Sequence, residues 1–127
     1  MRVGAFVMLA AALMLAGCDR PTEPVACIAI ARAGVTVTVA DAASGEPLCD
    51  ATVVLSAGGF REVLFALPSA PSCTYSGAYE RPGTYALEAS RAGYQTQTAG
   101  PLTIEMSREQ CPHMITQSVS VSLHRSP

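Results

Sequence analysis

Cysteine, histidine and carboxylate are the side chains of this chain that can carry chemistry, and their spacing decides which chemistry. Five cysteines stand at Cys18, Cys27, Cys49, Cys73 and Cys111. Cys18 closes an apolar N-terminal stretch, so its chemistry is that of processing. The other four are separated by 21, 23 and 37 intervening residues. A four-cysteine zinc site draws on close pairs such as C-x-x-C, because one tight turn then aims two thiolates at one ion; no such pair occurs. An even number of cysteines in a short exported domain reads instead as two disulfides, and four cysteines permit three pairings. His113 follows Cys111-Pro112 in a loop, and His124 is near the end of the last strand. Acyl transfer by serine needs a nucleophile on a strained turn with a base in reach. No G-x-S-x-G is present, and the serines recur at strand-surface spacing. No H-E-x-x-H occurs, and the two histidines, read as lacking nearby carboxylates, make a poor zinc site. Asp41, Glu46 and Asp50 crowd one loop, where three carboxylates can in principle hold calcium. Their spacing fits no calcium loop, and such groups ordinarily solvate a turn. The expected catalytic, cofactor and metal sets are therefore all empty.

The N-terminal stretch carries more information. Arg2 is the only charge before Asp19, and 3–16 is a run of 14 residues, apolar except for one glycine. A bilayer crossing takes about 20 apolar residues, so this run is too short to span. A charged start, a short apolar core and small residues at its end are the pattern of a signal peptide. That end, Leu15-Ala16-Gly17-Cys18, resembles the lipobox of bacterial lipoprotein precursors. The resemblance implies a diacylglyceryl group on the Cys18 sulfur, cleavage before Cys18, and often acylation of the new amino group by a palmitate-type chain. Each buried methylene contributes ~0.8 kcal/mol, and two or more chains hold a protein on a bilayer where one is marginal. The expectation is a signal peptide at 1–17, a lipidated Cys18 and short tether at 18–26, and a folded domain at 27–127. The domain is then held on an envelope membrane through Cys18, with no transmembrane helix. The plainer alternative is an ordinary signal peptide, with Cys18 unmodified. Residues 19–26 (DRPTEPVA) hold two prolines and alternating charges and read as a stiff tether. Eight extended residues reach ~28 Å at most.

Beyond residue 17 the chain has seven arginines, no lysine and ten acidic residues, a net charge of about −3. Nothing forms a basic stripe, which argues against nucleic acid as a partner. Only 14% of residues are charged and tryptophan is absent. Glycine, proline, serine and threonine fall in short clusters, the punctuation of many short strands. Residues 35–39 (VTVTV) alternate strictly, one face dry and one wet. Residues 41–47 (DAASGEP) make a turn with Ser44-Gly45 at its tip. In 51–57 (ATVVLSA), Ala51, Val53 and Leu55 share a face. Gly58-Gly59 turns the chain into 60–67 (FREVLFAL), a third strand with a single helical turn as the alternative. Residues 68–72 (PSAPS) cannot hold regular structure. In 84–90 (TYALEAS), Tyr85, Leu87 and Ala89 face one way, and Gly93-Tyr94 breaks the strand. Residues 102–106 (LTIEM) alternate again. In 115–123, Val119, Val121 and Leu123 oppose Ser118, Ser120 and Ser122. Arg61, Arg81, Arg91 and Arg108 are scattered and read as solvated. About seven short strands in so short a chain predict an all-β antiparallel sandwich.

Three stretches in order carry a second resemblance: 35–55 (VTVTVADAASGEPLCDATVVL), Gly83-Thr84-Tyr85, and Gly93-Tyr94. Together they are similar to carboxypeptidase regulatory-like domains over about residues 35–105. The resemblance implies a seven-stranded antiparallel β-sandwich of the prealbumin (transthyretin-like) type. It also implies that the start of the second strand and the loop after the third share one end of the sandwich. That favours Cys49 with Cys73 and leaves Cys27 with Cys111. Physical roles fit the motif residues: Gly45 for the positive φ of a tight turn, Pro47 where no ladder hydrogen bond is needed, Tyr85 for a buried ring with its hydroxyl at the rim. These residues read as fold-building rather than as a site. Zinc carboxypeptidases carry such a domain as an appendage, but their catalytic domain is missing here. Hydroxyisourate hydrolases share the fold, yet Thr38 stands where their catalytic histidine would fall, and the chain ends Leu123-His124-Arg125-Ser126-Pro127 in place of their closing Tyr-Arg-Gly-Ser.

The leading functional expectation is a non-enzymatic, lipid-anchored β-sandwich of the cell envelope, a binding or structural module. Recognition is expected at the loops 41–50, 68–82 and 107–114, because loops on rigid sheets usually carry it. A second reading is an accessory or inhibitory subunit of an envelope enzyme or transporter, which pull-down from a membrane fraction would reveal as a stoichiometric partner. A third is a small hydrolase, for which an inactive His113→Ala variant would speak.

Overall fold

The computed structural model describes residues 23–67 and 73–127, together with Gly17. The lipobox cysteine, Cys18, most of the expected signal peptide and the 68–72 loop lie outside the described residues. Eight strands form: β1 (Val35–Asp41), β2 (Thr52–Ala57), β3 (Phe60–Leu67), β4 (Thr74–Gly77), β5 (Gly83–Ser90), β6 (Gln97–Met106), β7 (Met114–Ile115) and β8 (Gln117–Leu123). Among the described residues there is no helix, so none long and apolar enough to cross a membrane.

Alternation explains the strands that the sequence announces. In β1 the valines Val35, Val37 and Val39 are buried while the residues between them are half-exposed. Tyr85, Leu87 and Ala89 of β5 do the same, whereas in β2 Val54 is buried along with Val53 and Leu55. Residues 60–67 are a strand throughout, so the helical turn does not form. Two differences have local causes. β4 was not expected, because TYSG has no alternation. It forms because Tyr75 is buried and its hydroxyl bonds the chain beside β2. The bare Gly77 also lets it lie close to β3, where an added Cβ would overlap the Leu64 side chain. The expected last strand divides into β7 and β8 at Thr116, whose hydroxyl donates to the Ala33 carbonyl at 2.7 Å while Gln117 N–H donates to Gly34 O at 2.8 Å.

The strands follow one another as β7-β6-β5-β2-β3-β4-β1-β8. β3 is the corner: its residues Phe60 to Leu64 pair with β2, and Phe65 to Leu67 pair with β4. A strand that changes partner in this way lets a sheet turn over on itself. The result is an all-β fold whose eight-stranded sheet is curled nearly into a barrel. The seam is drawn together where Gln95 N–H donates to His124 O at 2.8 Å and Ser126 N–H to Gly93 O at 2.9 Å. One pairing departs from the antiparallel expectation: β1 and β8 run parallel, in register from Val35↔Gln117 to Asp41↔Leu123. Parallel neighbours need a long crossover, and here the whole domain between the first and last strands supplies it. On the outer face the Thr38 hydroxyl donates to Ser120 Oγ at 3.2 Å, and Thr36 and Ser118 pair at 3.3 Å.

β1 therefore runs the length of the core, about 20 Å at ~3.3 Å per residue. One end of the molecule lies at Gly34, where the chain enters. The other lies at Asp41, where it turns.

Candidate functional site

At the Asp41 end, one carboxylate gathers two turns and the C-terminal tail. Asp41 is 2% exposed. Its Oδ1 accepts the Ala43 and Ser44 N–H groups at 2.8 and 3.0 Å, which shapes the turn that follows β1. Gly45 completes that turn at φ 75°, the left-handed region where a side chain would be strained. Oδ2 accepts the Tyr94 hydroxyl at 2.6 Å and Arg125 Nε at 2.9 Å. The Tyr94 hydroxyl, the Ser44 N–H and the Arg125 guanidinium, in that order, hold the Asp41 carboxyl well below the usual carboxylate range, against the opposing effect of burial. A carboxylate with four donors is ionised and fully occupied; it has no lone pair directed at a ligand.

The other carboxylates of the first loop do not join it. Asp50 turns to Arg91, with Nε–Oδ1 at 2.6 Å and Nη2–Oδ2 at 2.9 Å, a two-pronged pair that lowers the Asp50 pKa and raises that of Arg91. No group of three or more histidine, cysteine or acidic side chains gathers among the described residues. Close by, the Tyr75 hydroxyl donates to Leu48 O at 2.8 Å and accepts Ala51 N–H at 2.9 Å. Burial pushes its phenol pKa up. Cys49 and Cys73 flank this tyrosine's partners at disulfide distance, their Cα atoms 5.1 Å apart.

The Gly34 end is built differently. Residues 23–33 run outside every strand as an exposed strap. Cys27 stands at disulfide distance from Cys111, Cα–Cα 5.5 Å, so the two cysteine pairs are those that the second resemblance implies. Arg32 N–H donates to Glu80 Oε1 at 2.8 Å and Glu80 N–H to Arg32 O at 3.3 Å. Gly34 then slips under the 78–80 turn, its N–H shared between Gly77 O at 3.0 Å and Ala78 O at 3.1 Å; a Cβ there would meet the Ala78 carbonyl at 2.8 Å. Strap and loop enclose an open groove of about 730 Å³, lined by residues 27–32 with Glu80, Glu109, Pro112 and His113.

His113 faces this groove with a carboxylate neighbour that the sequence reading passes over. Its Nδ1 lies 3.1 Å from Ser107 Oγ, 3.3 Å from Cys111 O and 3.6 Å from Glu109 Oε2. In a serine–histidine–acid relay the serine and the acid take opposite ring nitrogens. Here both crowd the same nitrogen, and Ser107 Oγ already accepts the His113 backbone N–H at 3.1 Å. The arrangement clasps a loop. Two arginines expected in solvent are also engaged: Arg91 holds Asp50, and Arg81 stacks 3.7 Å over the Phe60 ring, which meets Tyr85 edge-on at 5.9 Å. Sequence reading missed the convergence of Tyr94 and Arg125 on Asp41, for which only the long separation of the partners is to blame. It also missed the exposure of Ile28 and Ile30, although a run reading V-A-C-I-A-I with no polar alternation was visible.

No protein-family model matches the chain, and no curated protein matches it.

Proposed function

We propose that this chain is an exported, lipid-anchored β-domain of a bacterial cell envelope that works as a binding or structural module without catalysis of its own. The observation that carries the reading is Leu15-Ala16-Gly17-Cys18 at the end of a short apolar run, followed by four further cysteines in two pairs at disulfide distance. Stabilisation by disulfides belongs to oxidising compartments. It suits a small domain whose two phenylalanines include the exposed Phe65 and which has no tryptophan. The groups that chemistry would need are spent on the fold: Asp41 ties a turn to the tail, and His113 clasps its own loop. The finer fold we infer is the carboxypeptidase regulatory-like one. The Asp41 turn with Gly45 and the Tyr85 hydroxyl donating to Arg81 O at 2.9 Å give its motif residues the structural roles that such a domain requires. Mass spectrometry of the mature N-terminus tests the anchor. The expected first residue is Cys18 bearing a diacylglyceryl group; an unmodified Cys18, or cleavage elsewhere, rejects it.

A further inference from the structure

We propose that the strap at 23–31, with Tyr79 and Ile115 beside it, is a surface that lies against the lipid bilayer. The inference rests on the reading of Cys18 as an anchor and adds to it a fixed orientation: the Gly34 end faces the membrane and the Asp41 end faces away.

Seven large hydrophobic side chains stand exposed among the described residues, and five of them lie on the strap or adjoin the residues that hold it. Val25, Ile28 and Ile30 lie on the strap itself, exposed by 52, 86 and 63%. Tyr79 adjoins Glu80, which exchanges two hydrogen bonds with Arg32. Ile115 adjoins Thr116, whose hydroxyl holds Ala33. The remaining two, Val63 and Phe65, are on the outer face of β3 toward the same end, with Phe65 paired to Ser76 and so level with Thr36. An exposed cluster of this kind marks an interaction surface. The strap is clamped through Cys27 to Cys111 and through Arg32 to Glu80, so its isoleucines are held outward.

Chain length selects the occupant. From Cys18 to Val25 is seven residues, at most ~25 Å of extended chain. An acylated Cys18 sits in the bilayer, and the first ordered part of the domain that its tether can lead to is the apolar strap. The charge nearby is mixed: Glu23, Glu80 and Glu109 against Arg32 and Arg108. Such a surface enters the headgroup boundary through its apolar side chains and needs no anionic lipid. Tyrosine is a residue that this boundary favours.

The chain has no tryptophan, so Ile28→Trp on the strap and Ala43→Trp, at an exposed position of the turn after Asp41, each place one reporter in the full-length lipidated protein. Both are reconstituted into phosphatidylcholine vesicles whose acyl chains carry bromine, and Cys18 acylation is checked on the same samples. The Ile28→Trp emission is expected to fall by about half or more relative to unbrominated vesicles, as for a side chain 5–10 Å into the boundary. The Ala43→Trp emission is expected to stay unchanged, and neither is expected to respond to salt. An acylated protein whose Ile28→Trp emission is unquenched overturns the inference and leaves the anchor standing. An unmodified Cys18 overturns the anchor and the orientation with it. A blue-shifted, unquenched Ile28→Trp in a protein of doubled mass assigns the strap to a second copy of the chain, and likewise overturns the proposal.

Discussion

At the Asp41 end of β1 a phenol, two backbone N–H groups and a guanidinium that reaches in from solvent all meet on one buried carboxylate. At the Gly34 end of the same seven-residue strand, the chain leaves the sheet with its isoleucines in water. Both ends carry a cysteine pair, yet the pairs do different things. Cys49 and Cys73 sit beside a buried tyrosine whose hydroxyl is already satisfied twice. Cys27 and Cys111 tie down a segment with few hydrogen bonds and almost no burial. The lesson is that one end spends its polar groups on closing the fold, whereas the other spends a covalent bond on holding an apolar surface open.

Removing each cysteine pair in turn should break this contrast most severely. With separations of 84 and 24 residues, loop entropy assigns about 4.6 kcal/mol to Cys27–Cys111 and about 3.5 kcal/mol to Cys49–Cys73. Urea unfolding of the double-serine variants is expected to follow that order. A loss below about 1 kcal/mol at the Gly34 end would mean that the strap is free of the fold's energetics and its clamp serves the surface only.

Tyr75→Phe comes next. It deletes one hydroxyl and orphans two backbone groups, Leu48 O and Ala51 N–H, which should cost about 2–3 kcal/mol. The expected loss appears as a lower urea midpoint with an unchanged slope.

Acid sharpens the comparison from the other side. The folded Asp41 carboxyl lies below its unfolded value of about 3.9. Its stabilisation is therefore complete above that value and is lost as pH falls from there toward the folded one. Asp50, lowered by Arg91, adds a solvent-screened part of the same sign. Melting temperature plotted against pH should fall below about pH 4, and Asp41→Asn should flatten that limb while lowering stability at neutral pH. A limb equally steep in the variant would place the acid sensitivity outside this cluster.

The smallest effect is expected at the strap. Ile28→Ser removes a side chain that touches mostly water, so its thermal unfolding should match that of the parent within about 0.5 kcal/mol. A larger loss would show that the strap packs on the domain.

What could be read from the chain tracked local pattern. V-T-V-T-V announces a half-buried strand whatever lies beside it, and so do the alternations at 84–90 and in 117–123. D-A-A-S-G announces a turn because Asp41 caps its own loop and Gly45 takes positive φ. T-Y-S-G announces nothing, since four residues cannot show a period, and β4 exists only because Tyr75 and Gly77 fit neighbours from elsewhere.

The sequence by itself determined the all-β class and the inward faces of most strands, because each rests on neighbours a few residues apart. Only the tertiary structure decided that β3 turns the corner, that β8 lies parallel to β1, and that Tyr94 and Arg125 reach one carboxylate from 53 and 84 residues away. The same holds for the strap. Isoleucine in a sequence predicts burial, and it takes the clamp at Cys27 and the close passage of Gly34 under the 78–80 turn to leave Ile28 and Ile30 outside. Pairings over such distances follow from how the sheet closes, and no local period records that.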